Sequence, residues 1–106
     1  AIENACKALN KLVQIKSGTS TLSEKTLMQT VFSRNKPRLA FNDLLDETDF
    51  SEQEGMMHIY AGVFLAFRNP RAHKLVDDDA ATAFGIISMV SFLAGLLEKA
   101  KVRPTN

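Results

Sequence analysis

The sequence has little cysteine and little net charge: Cys6 is its one cysteine, and the formal net charge is +1. A single cysteine cannot form an intrachain disulfide, and Cys6 lies among small and apolar residues, which predicts a buried core thiol rather than a nucleophile. Because no secretory signal is recognisable, we expect a cytoplasmic protein. The near-zero charge excludes a positive field over the whole surface, which is typical of unspecific nucleic-acid binders.

Several catalytic signatures are also missing. The chain has no phosphate-binding glycine loop, no Ser/His/Asp constellation with a supporting motif and no Cys/His zinc pattern. The run Asp77-Asp78-Asp79 suggests a metal ligand set, because hard cations prefer clustered carboxylates. Acidic residues are nevertheless expected at the start of a long helix, where they cap its free amides and complement its dipole. We therefore predict no metal and no cofactor.

Apolar periodicity predicts an all-α fold. The 106 residues suffice for one domain with a real core and leave little room for a second. A first helix is expected over residues 2–16, ended by Gly18, a second runs to 32, a third covers 52–67 and a fourth 80–99. Short connections favour an up-and-down bundle of about four main helices.

Two capping boxes are predicted at helix starts. Thr21 stands three residues before Glu24, and Ser51 stands three residues before Glu54. At this spacing the hydroxyl and the carboxylate each accept a hydrogen bond from the other residue's free backbone amide. The second helix is therefore expected to begin near Thr21 and the third at about Glu52.

Two proline-containing segments are expected to interrupt the helices. Pro37 excludes a continuous helix between the second and third helices. Residues 38–42 are expected to be extended or a turn, and residues 42–45 a short helical turn. Farther along, Asn69-Pro70 is expected to break or kink the third helix, because a residue before proline avoids helical backbone angles.

The last predicted helix has no charged residue from Ala80 to Leu97, a length at the lower limit for a membrane span. It contains Thr82, Ser88 and Ser91 as well as two glycines, and it lacks flanking aromatic residues. A helix that is apolar nearly all round is also typical of a central or dimer-interface helix. We therefore expect no membrane span.

The most informative stretch is Arg68-Asn69-Pro70-Arg71-Ala72-His73. Arginine is always charged and holds a phosphate through two parallel hydrogen bonds, and histidine exchanges protons near neutral pH. A phosphate clamp beside a proton shuttle is the minimum equipment for cleaving a phosphodiester. Arg68 and His73 are thus candidate catalytic residues, and Asn69 is a candidate ligand for ribose or phosphate. The alternative is that Arg68 and His73 only cap helix ends and stabilise a turn.

Five more residues are weaker candidates. Lys74 and Arg71 are candidate substrate contacts, although Arg71 points elsewhere on a helical model and fits a solvated or backbone-contacting cation. Glu54, His58 and Asp77 are possible secondary residues. Glu54 is explained by capping. His58 shares a helical stripe with Arg68 at a distance of about 15 Å along the helix, and Asp77 could orient the His73 ring.

Basic residues outside this stretch form two clusters. Arg34, Lys36 and Arg38 lie in an expected loop, and Lys99, Lys101 and Arg103 close the chain. Basic residues after a helix are expected because they complement its dipole, which explains the second cluster. That explanation is weaker for the cluster in the loop.

Three strings together resemble a known superfamily. They are Gln53-Glu54-Gly55, Ala61-Gly62 and Phe67-Arg68-Asn69-Pro70-x-Ala-His73. They are similar to the HEPN superfamily (higher eukaryotes and prokaryotes nucleotide-binding), which carries an Arg-x4-6-His motif. Within it, the chain resembles the Ymh-like group of hypothetical proteins from bacteria and their phages. The resemblance is carried by residues 51–76 and is weak over the first fifty.

The resemblance implies a metal-independent endoribonuclease. It implies that two copies form a symmetric homodimer whose Arg68/His73 motifs face a shared cleft, with RNA as substrate. It further implies a toxin or phage-defence effector, with an antitoxin or regulatory partner, and a domain at the C-terminal part of a longer protein. The alternative of a different class is a non-catalytic module for helical dimerisation and for binding RNA or a nucleotide.

Overall fold

The computed structural model describes residues 1–104. In chain order the elements are α1 (Ile2–Ser17), α2 (Glu24–Val31), β1 (Leu39–Ala40), α3 (Glu47–Val63), a π-helical segment (Phe64–Arg68), α4 (Asn69–His73), α5 (Ala80–Leu97) and β2 (Lys101–Val102). Because α3, the π-helical segment and α4 follow one another without a break, they form one long helix. This arrangement confirms the predicted all-α bundle of four main helices. The two short strands pair antiparallel, which the sequence did not predict.

The apolar faces of the helices meet in one core. Helix α1 packs mainly against α5, and α2 packs mainly against α3. The ring of Tyr60 lies 4.5 Å from that of Phe32, centroid to centroid, and the Tyr60 hydroxyl donates to the carbonyl oxygen of Leu93 at 2.6 Å. Burial raises the pKa of this hydroxyl. Tyr60 therefore links α3 to α5 across the core.

The first helix ends where the sequence predicts. Gly18 has φ 71°, a left-handed conformation that glycine adopts without steric cost. Its backbone amide donates to Ile15, and the amide of Thr19 donates to Gln14, so the last carbonyls of α1 find partners.

Both predicted capping boxes are wrong. Helix α2 begins at Glu24, whose amide donates to Oδ1 of Asn10 on α1 at 2.6 Å, so a distant side chain replaces Thr21. Helix α3 begins at Glu47, and Oδ1 of Asp46 accepts from the amide of Asp49 at 2.9 Å. Ser51 therefore lies inside α3, because an earlier acceptor already starts the helix.

The segment before α3 is not the predicted helical turn. Leu44 has φ 54°, and its amide donates to Oδ1 of Asn42 at 2.8 Å. An asparagine that accepts from the amide two residues later forms an Asx turn, which competes with a helical turn. The expectation that residues 38–42 are extended or a turn is confirmed by β1.

A buried glutamine fixes the loop between α2 and α3. Gln53 is 0% exposed, and its Nε2 donates to the carbonyls of Phe32 at 3.2 Å and Leu39 at 3.0 Å. Its Oε1 accepts from the amide of Phe41 at 3.0 Å. All three backbone groups belong to the loop, so one side chain replaces the partners that a sheet would supply.

Candidate functional site

The Asn69-Pro70 pair does not break the third helix, contrary to one of the two predicted outcomes. Residues Phe64–Arg68 form a π-helical turn, in which the amide of Asn69 donates to the carbonyl of Phe64. Pro70 has no amide hydrogen, so an α-helical bond is missing here, and the wider π turn accommodates the defect. The chain then stays helical as far as His73. Single π turns are frequent at functional sites.

The side chain of Arg68 extends from this turn toward the start of α1. Its Nη1 lies 3.7 Å from Oε2 of Glu3, and its side chain is 14% exposed. Burial raises the pKa of the Cys6 thiol on α1, and the positive charge of Arg68 partly opposes that rise. Arg68 is thus a largely covered cation with a long, weak ion pair, and a phosphate would have to compete with Glu3 for it.

His73 occupies the last position of α4 and is exposed. Among residues 1–104, no hydrogen bond or ion pair engages its ring. Five positions of α-helix rotate a side chain by about 140°, so Arg68 and His73 leave the helix in different directions. One chain therefore does not bring the two candidate catalytic groups together.

Asn69 lies four positions before His73 in α4, a spacing that places two side chains on one face of a helix. It is exposed and lines a shallow cleft of about 360 Å³ between the π-helical segment and the start of α2. The other cleft residues include Glu24 and Lys25, while neither Arg68 nor His73 lines the cleft. The predicted catalytic trio is thus divided: Asn69 and His73 share a face of α4, whereas Arg68 leaves the helix in another direction.

Arg71 is bound within the chain. Its Nε donates to Oδ2 of Asp78 at 2.8 Å, its Nη2 to Oδ1 of the same carboxylate at 2.5 Å, and its Nη1 to the carbonyl of Phe67 at 3.0 Å. This bidentate pair raises the pKa of Arg71 and lowers that of Asp78. The side chain contacts backbone, as expected, but it is an anchor rather than a solvated cation.

The Arg71–Asp78 pair closes a short exposed loop. Lys74, Leu75 and Asp77 are exposed on it, and a cleft of about 540 Å³ separates it from the first turn of α1. Charges of both signs line this cleft, so it does not select an anion. Within the part of the chain that the structure describes, no hydrogen bond joins Asp77 to His73.

The secondary residues lie elsewhere. Oε1 of Glu54 is 3.5 Å from Nη1 of Arg34, whose Nη2 also pairs with Glu47 at 2.6 Å. Glu54 therefore belongs to a surface ion-pair cluster on α3 rather than to a capping box. His58 is exposed near the middle of α3, and no contact in the described region links it to Arg68.

The three aspartates have three separate roles. Oδ1 of Asp79 accepts from the amide of Thr82 at 2.7 Å, which confirms the predicted helix cap and lowers the pKa of Asp79. Asp78 binds Arg71, and Asp77 is exposed. Among residues 1–104, no three histidine, cysteine, aspartate or glutamate side chains are grouped closely enough to hold a metal ion.

Helix α5 presents an uncharged face to solvent. Its buried side consists of Ile86, Val90, Leu93 and Leu97, which pack in the core. On the opposite side Phe84 is 75% exposed and Phe92 is 65% exposed. In the described region α5 is the one helix long and apolar enough to cross a membrane, with a mean hydropathy of 2.0 and 22% of its residues buried.

Sequence reasoning missed the partners of the motif residues. Glu3 lies 65 positions from Arg68 along the chain, and Asp78 lies across a loop from Arg71. Nothing in the local pattern indicates the first pairing. The second was accessible in principle, since a bidentate arginine needs a carboxylate and the Asp77-Asp78-Asp79 run supplies three nearby.

A family model, described as a protein of unknown function (Hypoth_Ymh), matches residues 1–97. The chain belongs to the Hypoth_Ymh family. No curated protein and no solved structure matches it. The Hypoth_Ymh match confirms the resemblance to the Ymh-like group and extends it over α1 and α2, where the quoted strings gave little support.

Proposed function

We propose that this Hypoth_Ymh protein is a metal-independent endoribonuclease that acts as a homodimer. The observation that carries the proposal is the exposed imidazole of His73, which no hydrogen bond or ion pair engages among residues 1–104, at the end of the helical segment that also bears Arg68 and Asn69. An imidazole at a solvent-exposed helix end can reach an RNA strand without rearrangement of the core. The similarity of the surrounding strings to HEPN proteins adds to this support.

The chemistry needs a base, an acid and positive charge. The ribose 2′-hydroxyl loses its proton to a His73 ring and attacks the adjacent phosphorus. The bond to the 5′-oxygen then breaks, and that oxygen takes a proton from a second, protonated imidazole. The products are a 2′,3′-cyclic phosphate and a free 5′-hydroxyl. Arg68 stabilises the negative charge that accumulates on the phosphorane oxygens, and Asn69 positions ribose or phosphate.

The need for two imidazoles motivates the dimer. One ring cannot readily act as base and acid on opposite sides of one phosphorus, and Arg68 and His73 diverge within one chain. A two-fold axis brings a second copy of each residue to the same cleft. The uncharged outer face of α5 supports association, because exposed Phe84 and Phe92 would lose water contact against a second copy.

The cleavage test uses a mixed RNA pool in excess EDTA. We expect cutting by the native protein and a loss of about a hundredfold or more in His73→Ala, since general acid–base catalysis contributes about that much. Arg68→Ala should lose a similar factor, because it removes the charge on the transition state. His58→Ala is the matched control, because it removes the chain's other histidine. Equal losses in both histidine variants would refute the assignment of His73.

The dimer has its own test. We expect light scattering at micromolar concentration to give twice the mass of the chain, and Phe92→Lys to give the monomer with lost cleavage. Leu45→Lys is the matched control, since Leu45 is a loop residue that is 80% exposed and lies off α5. A monomeric native protein with full activity would contradict the paired-site mechanism.

A second candidate function follows from the low solvent exposure of the Arg68 side chain. Its pairing with Glu3 and its small exposure fit a non-catalytic module that dimerises and binds RNA or a nucleotide. Fluorescence anisotropy with labelled RNA separates the two functions. If the protein is a ribonuclease, His73→Ala keeps its RNA affinity and stops cutting RNA. If it is a binding module, the native protein does not cut RNA, and His73→Ala hardly changes its RNA affinity.

The biological role rests on the resemblance to phage-associated proteins. A toxin or defence effector should slow bacterial growth when it is expressed alone, and His73→Ala should relieve the effect. A partner that covers His73 would act as antitoxin. Unimpaired growth with active ribonuclease in the cell would argue against the toxin role while leaving the cleavage proposal in place.

A further inference from the structure

A second pocket lies at the end of the bundle opposite to the motif. It is formed where α1 and α2 end, by the loop before β1 and by the residues after β2, and its volume is about 550 Å³. The pocket is lined by Thr19, Thr30, Val31, Asn35, Lys36, Pro37, Arg38, Arg103 and Pro104. Clefts of this size are typical of small-molecule sites. The length of α1, about 24 Å at 1.5 Å per residue, separates the pocket from Arg68.

The charges on this pocket have one sign. Lys36, Arg38 and Arg103 line it, and no carboxylate is among the described residues that do. The ends of α1 and α2 carry partial negative charge, about half an elementary charge each, so together they offset about one of the three cations. A positive charge of about two remains, in contrast to the mixed lining of the cleft beside Arg71.

One of the three cations is rigidly held. Arg38 donates from Nε to the carbonyl of Ser17 at 2.8 Å and from Nη1 to the carbonyl of Arg103 at 2.7 Å. Its backbone amide donates to Val31, and its carbonyl accepts from the amide of Arg103. All these partners are neutral, so the guanidinium is fixed in place while its charge remains available to an anion.

The side chains of the other two cations, Lys36 and Arg103, have no charged partner in the described part of the chain. Thr19, Thr30 and Asn35 also line the pocket, and their side chains carry hydroxyl and amide groups that can donate hydrogen bonds to oxygen. A fixed guanidinium, two cations without an ion pair among residues 1–104 and several neutral donors together match a phosphate group, which offers several acceptor oxygens around one centre.

From these observations we propose that the pocket binds a small phosphate-bearing ligand. Its apolar walls, Val31, Pro37 and Pro104, leave room for an uncharged part of that ligand beside the phosphate. The site is separate from the Arg68 and His73 cleavage site, and the proposal does not depend on catalysis there.

Calorimetric titration of the full chain with inorganic pyrophosphate tests the site. We expect saturable binding of one pyrophosphate per chain, weakened about tenfold in Lys36→Ala and in Arg103→Ala, as for the loss of one charge-assisted contact. Both side chains can be removed without loss of a hydrogen bond in the described structure. Lys11→Ala is the control, because it removes one exposed cation from the middle of α1.

Three results would overturn the proposal: no saturable binding, equal weakening by Lys11→Ala, or loss of binding in Arg68→Ala. The first result shows that there is no site. The second result shows that the loss of affinity depends on net charge and not on this pocket. The third result places the pyrophosphate at the Arg68 motif instead. Because the titration contains no RNA, an inactive ribonuclease leaves this result unaffected, and the two proposals can fail independently.

Discussion

The two ends of the bundle are held together by different chemistry. At the end where α1 stops, Gln53 and Arg38 bind backbone atoms of loops and helix ends. At the motif end, Arg71 is clamped by the carboxylate of Asp78. Backbone carbonyls do not titrate, whereas carboxylates do. The contacts of Gln53 and Arg38 at the first end, which we call the scaffold end, therefore do not depend on a carboxylate. The contact at the motif end is retained only while Asp78 is ionised.

The largest effect is expected at the scaffold end. Gln53→Ala removes three hydrogen bonds to backbone groups of the loop, two of them buried, and leaves a cavity, so the free energy of unfolding should fall by about 3 kcal/mol. Urea denaturation measures the change. Gln29→Ala, at an exposed position of α2, is the matched control and should change stability little. A loss in Gln53→Ala no larger than in the control would remove the distinction between the two ends.

A smaller effect is expected when the motif-end clamp is broken. Arg71→Met keeps most of the side-chain volume and removes the pair with Asp78, so the loop over residues 74–79 should exchange amide hydrogens faster. The melting temperature should fall by less than in Gln53→Ala. The double variant with Asp78→Asn should add little further loss, because both changes delete one interaction. Additive losses would show that the two side chains act separately.

The clamp should also respond to pH. Arg71 holds the pKa of Asp78 below its ordinary value of 3.8, so the pair contributes stability that is fully present above that value. This contribution is lost as the pH falls through the lowered pKa of the folded state. Melting curves between pH 2 and pH 6 should therefore show a gap between the native chain and Asp78→Asn that narrows toward pH 2. A gap independent of pH would point to packing instead of charge.

The smallest effect is expected for an exposed ion pair. Lys101 and Asp43 lie 3.3 Å apart with side chains 73% and 67% exposed, and water screens such pairs strongly. Asp43→Asn should therefore leave the melting temperature almost unchanged. If Asp43→Asn lowered the melting temperature as much as Arg71→Met, ion pairs would stabilise both ends of the bundle regardless of their burial.

The helices could be predicted from the sequence where the residues that start, form or end them lie close together in the chain. The period of apolar residues gave α1, and Gly18 ended it at the expected place because a left-handed backbone favours glycine. Asp79 was recognisable as a cap, since its amide partner is only three residues away. The start of α3 was misplaced because Ser51 and Glu54 matched a capping box, while Asp46 supplies the acceptor earlier.

The candidate site was less accessible than the helices. The sequence identified Arg68, Asn69 and His73 as candidates, but it predicted that the third helix ends at residue 67, whereas the structure continues the helix to His73. The π turn before Asn69 depends on how the chain accommodates Pro70 against neighbouring helices. Sequence spacing could not show that one chain separates Arg68 from His73, because the rotation between them is defined only once the helix is known to continue through Pro70.

By itself the sequence determined the helical class, the end of α1 at Gly18 and the Asp79 cap of α5. Each of these depends on dihedral preferences and spacing along a few residues. Tertiary structure alone decided that Arg68 meets Glu3, that Gln53 binds the loop after α2, and that three cations share one pocket. These pairings join residues far apart in the chain, and the core determines which of them meet, because packing brings helix ends together that no local pattern relates.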